Sequence, residues 1–139
     1  MPELPEVEVV RATLEQALVG KTITKIDCFY EPIIENIDEF MKSVLHQKIV
    51  KIDRYAKYLI FRLNDGCIIS HLRMEGKYYI QKEEKLLKYV HVVFHLDDGT
   101  KLSYADMRKF GRMVFKKENE LFTTPPLSKL GVEANSSII

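Results

Sequence analysis

Two tripeptides, Asn64-Asp65-Gly66 and Asp97-Asp98-Gly99, constrain the fold of this 139-residue chain more than any other feature. Gly, Asn and Asp reach positive φ at little steric cost, so each tripeptide reads as a hairpin turn. The flanking sequence fits. Residues 48–54, 57–63, 67–72, 77–81, 90–96, 100–104 and 112–117 are short segments rich in Ile, Val, Tyr and Phe. Upstream, KTITKIDCF (21–29) alternates β-branched and polar residues, as a half-buried strand does. About eight strands with turn signals every 8–15 residues predict an antiparallel sandwich or barrel.

Two helices complete the pattern. Over 5–18, Val7, Val10, Leu14 and Leu18 recur at helical spacing and form a core stripe. Pro5 suits the first helical position, Glu3 and Glu6 suit the positive end of the helix dipole, and Gly20 is a stop. NIDEFMKSVLH (36–46) predicts a short helix with Asn36 or Asp38 near its cap and Phe40, Val44 and Leu45 turned inward. The fold class expected is therefore α+β, mainly β: an antiparallel β-sandwich of about eight strands with an N-terminal helix and a second short helix. Residues 1–125 read as one domain. TTPPLSKLGVEANSSII (123–139) holds a proline pair and little periodicity, so 126–139 reads as a linker.

With 46% hydrophobic and 29% charged residues, the chain is not a disordered or low-complexity sequence. It contains no apolar run near the roughly 18 residues of a membrane span. Its acidic start lacks the basic region of a signal peptide. Cys28 and Cys67 alone make neither a disulfide framework nor a cysteine-rich zinc site. A reduced, cytoplasmic protein is expected, with no metal and no membrane partner. The net charge of +1 gives no reason to expect nucleic acid, but the charge is unevenly placed. Residues 42–58 carry Lys42, Lys48, Lys51, Arg54 and Lys57 against Asp53 alone; residues 101–117 carry Lys101, Arg108, Lys109, Arg112, Lys116 and Lys117 against Asp106 alone. Converging on one face, these stretches would hold a phosphate backbone; otherwise they are ordinary solvated strand faces.

Four sites carry candidate chemistry. Pro2 follows Met1, and a small second residue permits removal of the initiator methionine. The free secondary amine would titrate near about pH 8, and its neutral form attacks aldehyde-like carbons to give a Schiff base. Glu3 beside it can move protons, and Glu6 lies about one helical turn further on. With Met1 retained the Pro2 nitrogen is an amide and the scaffold has no nucleophile; the two acids are then helix-start residues. In RYAKYLIFRL (54–63), Lys57 begins an apolar strand among aromatics and can bind phosphate as a point charge, or simply be solvated. HLRMEG (71–76) reads as a tight loop presenting His71, Arg73 and Met74. Met74 is either a wedge that enters DNA where a base has left the stack or a plug folded into the core. DMRKFG (106–111) presents Arg108, Lys109 and Phe110 in a second Gly-ended loop. Arg108 can read a base edge with two donors and Phe110 can slip between base steps, unless this is an ordinary basic hairpin tip.

Taken together, these residues resemble the formamidopyrimidine-DNA glycosylase family. PELPEVE at 2–8 is similar to that family's N-terminal signature, and Lys57, HLRMEG, DMRKFG and PPLSKLG (125–131) follow in family order. The resemblance implies a base-excision repair enzyme, both glycosylase and AP lyase, acting on damaged double-stranded DNA. Oxidised purines, chiefly 8-oxoguanine and formamidopyrimidines, would be flipped out of the duplex. Pro2 would attack C1′ and displace the base, and β- and δ-elimination would follow from the Schiff base. Glu3 matches the acid/base that opens the sugar ring, and Glu6 an assisting or structural acid. Lys57 and His71 match phosphate contacts. Met74, Arg108 and Phe110 match the residues that fill the vacated space, with Lys109 in the same DNA-facing loop.

The family also continues into a helix-two-turn-helix domain and a four-cysteine zinc finger, neither of which this sequence holds. Zinc is expected only in that absent part, so no cofactor is expected here. Residues 126–139 would be the linker toward the missing DNA-binding domain. A monomer that binds DNA weakly and has little or no lesion-specific activity is expected, because phosphate contacts dominate affinity. Other readings stay open at this point. One is a non-catalytic fragment or binding module. Another is an N-terminal-proline tautomerase, although those proteins begin a strand at the proline. The related endonuclease VIII family shares the PE start but prefers oxidised pyrimidines.

Overall fold

A computed structural model describes residues 4–82 and 87–129. Pro2 and Glu3 lie outside the described residues, as do residues 130–139. Helix α1 (Leu4–Leu18) leads into β1 (Ile23–Cys28), a 3-10 turn at Glu31–Ile33, and α2 (Ile37–Val44). Seven strands follow: β2 (Ile49–Tyr55), β3 (Tyr58–Leu63), β4 (Cys67–His71), β5 (Lys77–Gln81), β6 (Val90–Leu96), β7 (Lys101–Ala105) and β8 (Arg112–Lys116). All strands expected from the pattern form, each end within two residues of its expected place.

The strands make two antiparallel four-stranded sheets, ordered β1-β6-β7-β5 and β2-β3-β4-β8. They form a sandwich because their inner faces share one core. Phe61, Ile68 and Phe115 from one sheet join Phe94, Leu102 and Tyr104 from the other in a single buried cluster. Both helices contribute to it, α1 through Val7, Leu14 and Leu18 and α2 through Phe40 and Val44. Both tripeptide turns close hairpins. Leu63 N–H donates to the Gly66 carbonyl at 2.9 Å and Leu96 N–H to the Thr100 carbonyl at 2.9 Å, with Gly66 and Gly99 at φ 96° and 87°.

The β2-β3-β4-β8 sheet is covered on its other face too. Tyr55, Ile60, Cys67, Ile69 and Val114 pack there against Leu121 and Leu127 from the chain after β8. This explains why all five residues of β4 are buried and show no alternation. Packing thus continues into a short 3-10 turn at Leu127–Lys129. One core expectation is corrected. Leu45 is 36% exposed, because it caps α2 in an extended conformation (φ −61°, ψ 134°) that turns the chain away from the core. Asn36 does take the N-cap position, but without a side-chain hydrogen bond and at φ 49°. Among the described residues, no helix is long and apolar enough to cross a membrane.

Candidate nucleic-acid interface

Helix α1 is tied to the sheet by ion pairs rather than by its apolar stripe alone. Arg11 bridges Glu8 (2.7 Å) and Glu15 (3.0 Å) along the helix, and also donates to the Ile52 carbonyl at 3.1 Å. Arg54 of β2 donates to Glu8 at 3.0 Å and to the Ala56 carbonyl at 3.1 Å. The Arg11 guanidinium first, with Arg54 behind it, holds the Glu8 carboxyl below its ordinary pKa. Residues 56–57 form the two-residue turn between β2 and β3, with Ala56 at φ 53°. The turn that presents Lys57 is thus fastened, through Arg54 and Glu8, to the helix that begins at Leu4. This corrects part of the charge argument. Arg54 faces Glu8 and Lys51 lies 3.5 Å from Asp53, so residues 42–58 are not a uniform basic face.

The cations that do converge lie around His71. This residue closes β4 instead of opening a loop, and is 7% exposed. Arg112 of β8 is its register partner, and Tyr58 meets its ring edge-on at a centroid distance of 4.6 Å. His71 and Arg73 line a small cavity of about 40 Å³ with Glu35, Tyr58 and Arg112. The Arg73 N–H donates to His71 Nδ1 at 2.9 Å, so the neutral ring carries its proton on Nε2 as a donor. Burial, then the charges of Arg73 and Lys57, push the His71 pKa down to about 4. At neutral pH His71 therefore offers an N–H and no charge.

That shift makes stability pH-dependent in a defined window. Above pH 6.5, His71 is neutral in both folded and unfolded chains. Between pH 6.5 and about 4 the unfolded chain binds a proton that the folded chain refuses, so stability falls with falling pH; below that window the loss stops growing. The expected loss from this residue is about 3 kcal/mol. Urea denaturation of the wild type and H71Q across this range measures it. The variant should lose stability less steeply, and parallel losses would contradict the assignment.

The two Gly-ended loops meet. Arg108 Nε lies 2.7 Å from Glu75 Oε1, joining the loop after β4 to the loop after β7. Met74, Arg108 and Phe110 are all exposed, Met74 and Phe110 at 49% each, so Met74 is not a core plug. Lys109 takes φ 60° and lays its ammonium over the Tyr30 ring, 4.6 Å from the centroid. Asp106, 1% exposed, organises this second loop: it accepts from Tyr104 O–H (2.8 Å), Lys109 N–H (3.1 Å) and Gly111 N–H (2.7 Å). The loop glycines are required for space. Positive φ falls on Arg73 (57°) and Lys109 instead. A Cβ at Gly76 would lie 2.5 Å from the Tyr104 hydroxyl, and one at Gly111 would overlap it.

A cleft of about 460 Å³ adjoins these loops, lined by Glu6 and Val10 of α1, by Met74, Glu75 and Gly76, and by Tyr78 of β5. The structure thus brings Glu6 and Met74 together, joins Met74's loop to that of Arg108, Lys109 and Phe110, and sets Lys57 within electrostatic reach of His71. Among the described residues, no three His, Cys, Asp or Glu side chains gather to hold a metal ion. The sequence reading gave no site role to Tyr104, Asp106 or Glu75, and counted Arg112 only among the basic residues of 101–117. Asp106 left a signal: an Asp opening a Gly-ended loop is the usual acceptor for the loop's own N–H groups.

The profile of the formamidopyrimidine-DNA glycosylase N-terminal domain matches residues 1–113. The chain belongs to the formamidopyrimidine-DNA glycosylase family. It is 47% identical over 138 residues to the formamidopyrimidine-DNA glycosylase of Lactobacillus delbrueckii subsp. bulgaricus, and 45% identical over 141 residues to that of Enterococcus faecalis. These alignments cover 98% and 99% of this chain but 50% of each relative, so the chain spans about half the length of the relatives it matches. Among solved structures, Lactococcus lactis formamidopyrimidine-DNA glycosylase bound to DNA containing an AP site aligns with TM-score 0.84 and 37% identity, over 88% of this chain and 48% of that one. A T221P mutant of the Lactococcus lactis protein with Fapy-dG-containing DNA aligns equally well, at 38% identity.

Proposed function

We propose that this chain is the catalytic half of a base-excision repair glycosylase and AP lyase acting on oxidised purines, 8-oxoguanine and formamidopyrimidine, in damaged duplex DNA of the bacterial nucleoid. The observation that carries the reading is the pair of joined loops. Exposed Met74, Arg108 and Phe110 project from two loops linked by the Arg108–Glu75 ion pair, beside a cleft that reaches Glu6 of α1. An apolar wedge beside a bidentate cation is what a duplex needs once a base has been extruded.

The chemistry follows from a free Pro2 amine. Its lone pair attacks C1′ as the glycosidic bond breaks, and the base departs with the bonding electrons and takes up a proton. Glu3 gives a proton to O4′ as the sugar ring opens, leaving an iminium. Loss of a C2′ proton then expels the 3′ phosphate, and a second elimination expels the 5′ phosphate. Glu6, which lines the cleft from α1, assists as an acid. Lys57 and the His71 Nε2–H, with Arg73 and Arg112, hold phosphates; Lys109 adds charge at the loop.

This half alone offers few phosphate contacts, so binding is expected to be weak and best read at low salt. Fluorescence anisotropy with a duplex carrying a tetrahydrofuran abasic analogue, against the intact duplex, tests the reading. The wild type should prefer the abasic duplex. The M74A/F110A double variant should lose that preference by about tenfold or more while its affinity for intact duplex stays the same, since each lost stacking contact is worth about 1–3 kcal/mol. No preference in the wild type, or an undiminished preference in the variant, would contradict it.

A further inference from the structure

Tyr104 and Asp106 stand at the junction of the two DNA-facing loops but touch no surface a duplex could reach: they are 0% and 1% exposed. Tyr104 lies on the inner face of β7, packed against Tyr78 at 5.2 Å between ring centroids. Burial, with Tyr78 and Asp106 behind it, holds its phenol above the ordinary range, so the hydroxyl remains a donor. That hydroxyl donates to Asp106, whose carboxylate also holds the Lys109 and Gly111 N–H groups; His91 Nε2 donates to the Asp106 carbonyl at 2.7 Å. The same hydroxyl fills the space beside both Gly76 and Gly111. One phenol thus abuts the end of the Met74 loop and the end of the Arg108–Phe110 loop.

We infer that Tyr104 and Asp106 are positioning residues that make the two loops one rigid element, so that Met74, Arg108 and Phe110 enter a duplex together. A buried pivot holds the loops from beneath and the Arg108–Glu75 pair holds them from outside. Rigid presentation matters because a side chain ordered before binding loses less entropy on entering DNA. The inference rests on the function proposed above for its DNA consequence, but its structural content concerns the protein alone.

Two measurements on the 139-residue chain, wild type and Y104F, separate the two. The first is amide hydrogen exchange without DNA. In Y104F, exchange should rise about tenfold at Lys109 and Gly111 and also at Gly76, with β3, β4 and β8 unchanged, since one buried hydrogen bond is worth about a tenfold change. Acceleration confined to one loop, or spread across the sheets, overturns the pivot. The second is the ratio of affinities for abasic-analogue and intact duplexes. It should fall about tenfold in Y104F; a merely structural loss would lower both affinities together and leave the ratio unchanged, which overturns the positioning role. If the wild type shows no abasic preference, the function reading fails while the exchange result still decides the pivot. D106N, which keeps the side chain's size but removes one acceptor, should repeat both effects.

Discussion

Alanine at position 111 is expected to cost about 2–4 kcal/mol of stability, seen as a fall of about 10 °C in Tm. The added Cβ would overlap the hydroxyl of Tyr104, whose ring is wholly buried, and lie 3.0 Å from the Asp106 carboxylate. Nothing there is a flexible chain end. Either the phenol swings away, breaking its bond to Asp106 and opening space in the core, or the loop lifts and frees the Gly111 N–H. Each route leaves a buried polar group without its partner. Gly20→Ala and Gly99→Ala are the controls. A Cβ there meets nothing within 4 Å, but φ is +92° and +87°, so each should cost only about 1–2 kcal/mol of backbone strain. Thermal melts of the three variants by circular dichroism check the order. A G111A protein that melts within 2 °C or so of the wild type would show that the loop yields easily.

The second large effect concerns the amine. The proposed reaction needs a lone pair on the Pro2 nitrogen, and an amide there has none to give. Chain with Met1 retained, or with an acetylated terminus, should form no trapped adduct with abasic DNA, a loss of more than about a hundredfold against the processed chain. Folding should be untouched, because α1 is packed into the core through Val7, Leu14 and Leu18. Comparing intact mass, melting temperature and adduct yield of the two forms checks this. Equal yields would place the nucleophile elsewhere.

Much of this was legible in the sequence for a simple reason. β-branched and aromatic segments separated by Asn, Asp and Gly turns leave the backbone little choice, and so strands β1 to β8 formed almost where the pattern put them. The inward-facing residues of α1 followed from spacing alone. Leu45 did not, because a helix end can turn away from the core at its last residue. The candidate site was legible as a set of residues but not as a mechanism of support. Counting charges made Arg54 and Lys51 look available, whereas Arg54 pairs with Glu8 far away in sequence and Lys51 lies near Asp53 two positions along the same strand. His71 looked like a loop residue contacting phosphate and is a buried neutral donor at the end of β4, since its burial comes from β3 and β8 packing beside β4. The two glycines looked like turn residues, yet they exist because Tyr104, up to 28 positions away, needs their space. Such long-range steric facts leave no local trace.

The most direct test of the central claim is borohydride trapping on a duplex with a true abasic site, followed by mass-spectrometric mapping of the adduct. An abasic site needs no base recognition, so the experiment asks only whether an amine of this chain reaches C1′. The proposed nucleophile is the Pro2 amine; the amine of Lys57, at the β2–β3 turn, is the alternative. A reduced adduct on the N-terminal peptide, at Pro2 and absent from the Met1-retaining form, is the predicted result. An adduct on Lys57, or none from fully processed chain at low salt, would contradict it.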